Sequence, residues 1–173
     1  MFLSIFCCFR CIGWVQAITR TSEGFASASF DETIRLWKMD VPPRDDARGF
    51  GVECSLLHIF EGHSNGVWCL KWVPAINVLV SGASDTTVRI WSLDSRHRGC
   101  VRVLEGHTGD VYSVDADVHI TYQRVEPPSN DGTVTIEERA LLTVVSGSAD
   151  ETVRLVKLES TRLHSFAREQ LTN

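Results

Sequence analysis

Short stretches in which apolar and polar residues alternate recur along the chain, and three of them are near copies of one another. Residues 25–37 read FASASFDETIRLW, residues 80–91 read VSGASDTTVRIW and residues 145–156 read VSGSADETVRLV. In each copy a serine stands four residues before an aspartate, and the aspartate stands six before Trp37, Trp91 or Val156. A threonine follows each aspartate at the second position. The run Thr87, Val88, Arg89, Ile90, Trp91 has the period of two that marks a half-buried strand. Each copy therefore predicts two strands joined at the aspartate. Two more strand patterns complete each unit. Gly62-His63 precedes an apolar run at 67–73, and Gly106-His107 precedes another at 111–118. Residues 56–61 (LLHIFE) and 101–105 (VRVLE) lead into the same Glu-Gly-His. Each unit reads as four short antiparallel strands.

Four strands per unit, a Gly-His ahead of the first and an aromatic near the end of the third together resemble the WD40 family, whose units form the blades of a β-propeller. The resemblance covers nearly all of residues 13–166 and implies an all-β fold of three four-stranded blades. With strands lettered A to D, blade one (13–60) is expected to have A at 13–18, B at 24–29, C at 33–39 and D at 53–60. Blade two (61–104) has them at 66–73, 77–83, 87–93 and 100–104. Blade three (105–166) has A at 110–118, B at 141–148, C at 152–158 and a poor D near 161–166. Residues 1–12 form an irregular apolar leader and 167–173 a tail.

The turn aspartates Asp31, Asp85 and Asp150 are 54 and then 65 residues apart, above the roughly 40 to 45 residues of a WD40 unit. The excess falls in insertions at 40–51 and 119–140. The first carries Pro42, Pro43, Asp45 and Asp46, the second Pro127, Pro128 and Asn130-Asp131-Gly132, which is the chemistry of turns and loops. In an up-and-down blade the A-to-B and C-to-D turns leave from one face, so both insertions are expected on the same face.

Composition narrows the function classes. At 43% hydrophobic the chain can bury a core, so it is expected to be globular. A net charge of -5, with scattered Lys and Arg, leaves no basic patch for nucleic acid or an anionic membrane. No run reaches the roughly 18 apolar residues of a membrane span. The opening stretch to Trp14 is apolar but broken by Arg10, without the leading charge of a secretory signal. Six dispersed cysteines do not make a disulfide framework, and Cys69 lies in an apolar strand pattern where a reduced thiol is usual, so a cytoplasmic or nuclear setting is expected.

Ser, His and Asp together suggest a hydrolase, but an active site is needed once and this trio recurs at fixed offsets. The WD40 resemblance implies instead a structural hydrogen-bond chain and no catalytic residue. It would join His63, Ser81, Asp85 and Trp91 in blade two, and His107, Ser146 and Asp150 in blade three, where Val156 replaces the tryptophan. Blade one has Ser27, Asp31 and Trp37 but no Gly-His, Cys11-Ile12 standing where it would fall. Cys8 and Cys11 form a CxxC with no second pair to complete four ligands, so no metal or other cofactor is expected. Gly82 and Gly147 precede no helix and have no lysine beside them, which fits close strand packing rather than a phosphate loop.

The family resemblance further implies a top face that binds partner proteins through Phe30, Ser84 and Ala149, each just before a turn Asp, and through Gln16, Trp68 and Tyr112, each just after a strand A valine. Within the family, Glu53-Cys54, Glu61-Gly62-His63 with Gly66-Val67-Trp68, and the run DVYSV at 110–114 resemble the WD40 protein of cytosolic iron-sulfur protein assembly. That implies a docking scaffold whose partners are iron-sulfur targeting subunits and apo iron-sulfur enzymes, holding no cluster itself. A ubiquitin-ligase receptor or a trafficking subunit is the other adaptor reading. Family rings need at least four blades, so three are expected to be an excerpt, a truncated product or a half that pairs with another copy. The open blade edges would favour self-association.

Overall fold

The computed structural model describes residues 13–40, 53–125 and 135–160, in which eleven strands form three antiparallel sheets. The first sheet runs β1 (Val15–Arg20), β2 (Gly24–Ser29), β3 (Ile34–Asp40) and β4 (Glu53–Phe60), side by side in chain order. The second repeats that order with β5 (Val67–Val73), β6 (Val78–Ala83), β7 (Val88–Ser92) and β8 (Gly99–Leu104). A single 3-10 turn at Pro74–Ile76 joins β5 to β6, with Asn77 in the left-handed region to reverse the chain. The third sheet contains β9 (Val111–Val125), β10 (Thr135–Ser148) and β11 (Val153–Ser160). These are blades of a β-propeller, and among the described residues the three form an open arc.

Each sheet is buried on the faces that meet a neighbour. Ala26, Ala28, Ile34 and Leu36 of the first sheet pack on Leu79, Ala83, Trp91 and Leu93 of the second. Trp91, fully buried, is the largest side chain of this core and packs on the Phe60 ring of the first sheet with centroids 5.6 Å apart. A second core joins Val80, Val88 and Ile90 of the second sheet to Val111, Ala116, Leu142 and Val144 of the third. The first strands of the three blades lie closest: β1 beside β5, and β5 beside β9. Gly82 sits where they approach, and an added Cβ would stand 2.6 Å from Val111 Cγ1 and 2.8 Å from Cys69 Sγ. Burial pushes the Cys69 thiol up to about 12, so it stays protonated and unreactive at neutral pH.

The second insertion differs from its expected loop. β9 and β10 run on into it from either end, paired in register from Leu141–His119 out to Thr135–Val125. The flanks of the insertion alternate as strands do, with β-branched residues at Ile120, Thr121 and Ile136, and two antiparallel strands that already face each other extend cheaply. Strand A of blade three thus ends at Val125 rather than 118, and strand B begins at Thr135 rather than 141. The leader, the first insertion after Asp40, the 161–166 strand and the tail lie outside the described residues.

Candidate functional site: turn clusters and an aromatic row on one face

In blade two the indole N–H of Trp91 donates to Ser81 Oγ at 2.8 Å. Ser81 Oγ lies 2.7 Å from His63 Nε2, and His63 Nδ1 lies 2.8 Å from Asp85 Oδ2. A carboxylate only accepts, so Nδ1 carries a proton, and in the neutral imidazole Nε2 then accepts from the serine hydroxyl. All donors in the chain then point from tryptophan towards aspartate. Asp85 also accepts from the backbone N–H of Ser64 and from both the N–H and the hydroxyl of Thr87. Burial pushes the Asp85 carboxyl up, but the hydrogen bonds from His63 and Thr87 outweigh it and hold the group well below the usual carboxylate range.

Blade three repeats the geometry, with His107 Nδ1 2.8 Å from Asp150 Oδ2 and Nε2 2.9 Å from Ser146 Oγ. The Thr152 hydroxyl, with help from His107, holds Asp150 low in the same way. Val156 stands opposite Val144, so Ser146 receives no indole there. In blade one Trp37 Nε1 donates to Ser27 Oγ at 2.9 Å, and the Asp31 carboxylate takes Arg35, whose Nη2 is 3.1 Å from Oδ2. Arg89 and Arg154 hold the same place in their strands, and their guanidinium groups lie instead against Gly62 and Gly106.

The position of the missing histidine shifts by one residue from the expected Cys11-Ile12. The Phe30 N–H donates to Trp14 O, as that of Ser84 does to Gly66 O and that of Ala149 to Asp110 O. Val15, Val67 and Val111 therefore correspond, and counting back four residues, as from Val67 to His63, reaches Cys11. Cys8 and Cys11 lie outside the described residues, and among the described residues no cluster of three or more His, Cys, Asp or Glu could hold a metal ion. Ser81 is fully buried and engaged on both sides, and Ser146 is buried against His107.

Above these clusters lies a row of rings. Phe30 meets Trp68 edge to face with centroids 6.1 Å apart, and Trp68 meets Tyr112 likewise at 5.4 Å. Each ring belongs to a different blade. Phe30 is 51% and Tyr112 53% exposed, whereas Trp68 between them is half-buried. Trp68 Nε1 donates to Ser84 Oγ at 2.6 Å, and the Ser84 hydroxyl donates to Asp110 Oδ2 at 2.7 Å. Gln16 is half-buried and Ala149 exposed.

A register irregularity aims these side chains. Val67 pairs with Ala83 and Cys69 with Gly82, so Trp68 has no partner across the ladder. Gln16 is skipped between Val15 and Ala17, and Tyr112 between Val111 and Ser113, in the same way. A bulge that leaves one residue unpaired re-aims its side chain. Asp110 and the bulges are absent from any reading of spacing alone, although the Val-x alternation breaking after each strand A valine was their trace.

A family profile described as WD domain, G-beta repeat matches residues 54–92 and 98–157, more than half of the chain. The chain is 38% identical over 74 residues to a probable cytosolic iron-sulfur protein assembly protein 1 of Pyricularia oryzae, covering 40% of this chain and 15% of that protein. It is 28% identical over 143 residues to the nuclear distribution protein PAC1 of Candida tropicalis, covering 75% of this chain and 29% of that one. It thus spans under a third of the length of either relative. The crystal structure of the WD40 β-propeller domain of Doa1 superposes with a TM-score of 0.53 at 24% identity, over 86% of this chain and 37% of that chain.

Proposed function

Because this chain belongs to the WD40-repeat family, we propose that it docks a partner protein across the face carrying Phe30, Trp68 and Tyr112. The observation that carries this is the aromatic row itself: bulges in two blades hold Trp68 and Tyr112, and the aspartate turn of the first holds Phe30, at a surface where water must be displaced for them to be covered. Ser84 fixes the Trp68 indole, while Gln16 and Ala149 border the row as its smaller contacts. The Trp91-Ser81-His63-Asp85 chain and the Ser146-His107-Asp150 chain are read as structural, tying each Gly-His turn to the aspartate turn beneath that face. No catalytic residue or cofactor is assigned.

Within that role we propose a place in cytosolic iron-sulfur protein assembly, in the cytoplasm, with targeting subunits and apo iron-sulfur enzymes as partners. Its support is the Pyricularia relative, over 40% of the chain. The test is affinity purification with mass spectrometry of wild type and of a Trp68→Ala, Tyr112→Ala double variant, with metal analysis of the purified chain. Iron-sulfur assembly subunits captured by wild type and lost by a folded double variant are the expected result, with no iron in the chain. Ubiquitin-ligase or coat-complex subunits instead would move it to a general adaptor, and unchanged capture by the double variant would take docking off this face.

A further inference from the structure

The turns that make the aromatic face are the Gly-His turns at 61–66 and 105–110 and the aspartate turns at 29–33, 83–87 and 148–152. Together they hold eight acidic residues (Asp31, Glu32, Glu61, Asp85, Glu105, Asp110, Asp150, Glu151) and no lysine or arginine. Three of the eight serve inside the protein: Asp31 takes Arg35, and Asp85 and Asp150 take the histidines. Arg89 and Arg154 lie one strand further out, against Gly62 and Gly106, close to Glu61 and Glu105 in the chain. Beside the rings this leaves Glu32, Asp110 and Glu151, with Asp110 tied to Trp68 through Ser84.

Resting on the reading that this face is the docking surface, we infer that the partner segment it takes is basic, with an arginine side chain seated between the Tyr112 ring and the Asp110 carboxylate. A guanidinium lies flat on an aromatic face and donates two N–H groups to a carboxylate at once. Tyr112 and Asp110 stand two residues apart around the bulge, Tyr112 offers a half-exposed ring, and the carboxylate has acceptor sites beyond the one that Ser84 occupies. An acidic or phosphorylated segment would meet like charge at Glu32, Asp110 and Glu151 without a cation in the turns to receive it.

The inference is tested on the full chain by fluorescence anisotropy with Gly/Ser peptides identical except for several arginines, lysines, glutamates or phosphoserines. The arginine peptide should bind more tightly than the lysine peptide. Asp110→Asn and Tyr112→Ala should each weaken it by about tenfold, whereas Glu159→Gln, on exposed β11, should not. Thermal melting of each variant separates lost binding from lost fold. Tighter binding of the glutamate or phosphoserine peptide, lost in Tyr112→Ala, would keep docking on this face and overturn the basic partner. Arginine-peptide binding unchanged in both variants would overturn the docking face and the inference together. Failure of every peptide to bind would overturn the inference alone, since the purification above reads the docking surface independently.

Discussion

Asp85 is the residue on which blade two turns, since it accepts from His63, Ser64 and Thr87 together. Asp85→Ala strands a buried imidazole N–H and should destabilise the chain by about 1 to 3 kcal/mol. Trp91→Ala removes a fully buried indole and should cost about 3 to 5 kcal/mol, because the rigid blade interface cannot close on the void. Denaturant midpoints for both variants check this, and an unshifted midpoint for Asp85→Ala would sink the structural role. The acid limb has a definite sign. The folded-state pKa of Asp85 is depressed, so its contribution is full above the unfolded carboxylate value of about 4 and is lost as pH falls below it. The wild-type midpoint should therefore drop below about pH 4 more steeply than that of Asp85→Asn. Much of this was legible: the recurring offsets named Ser27, Ser81, Ser146 and the three aspartates. The role of Arg35 was not. Arginine stands four residues after the aspartate in all three copies, and spacing cannot say which of three equivalent cations folds in where a histidine is missing.

At the scale of elements, the alternating patterns marked the strands because successive side chains of a strand point to opposite faces that differ in burial, and its ends are fixed by turns. They failed where loop chemistry and strand chemistry share one insertion. Pro127, Pro128 and Asn130-Asp131-Gly132 lent their character to the whole of 119–140, while Ile120 to Tyr122 and Ile136 already carried the pattern of β9 and β10. Gly82 tests the packing between elements. A methyl there would stand 2.6 Å from Val111 Cγ1 of the next blade and 2.8 Å from Cys69 Sγ, and the stiff, buried valine cannot swing aside as a long side chain would. Gly82→Ala should lower stability by about 1 to 3 kcal/mol through overpacking, read as a fall in melting temperature. A variant that melts with wild type would mean that β5 and β9 are held less closely than they stand here.

At the scale of the molecule, two cores bind three blades into an arc, and among the described residues none packs on the outer face of β11 at Val153 and Leu155. Val153 and Leu155 on β11 are 74% and 58% exposed, on strand positions that another blade would cover. Taken alone, the 173-residue chain should self-associate at micromolar concentration, and Leu155→Lys should reduce the associated fraction in light scattering. A monomer for wild type would show that this face is harmless in water. The bulge after each strand A valine has a further consequence, for variation rather than stability. A side chain with no partner across the ladder can be exchanged without renegotiating the sheet, so each blade holds one position whose identity is free to change. The three here are glutamine, tryptophan and tyrosine, each next to a valine in this chain. Saturation mutagenesis should find positions 111 and 112 opposite in temper: the first intolerant in abundance, the second nearly neutral in abundance yet decisive for what the chain captures. Adjacent letters of one strand would then evolve under separate pressures, and the same blade could change its partner without changing its shape.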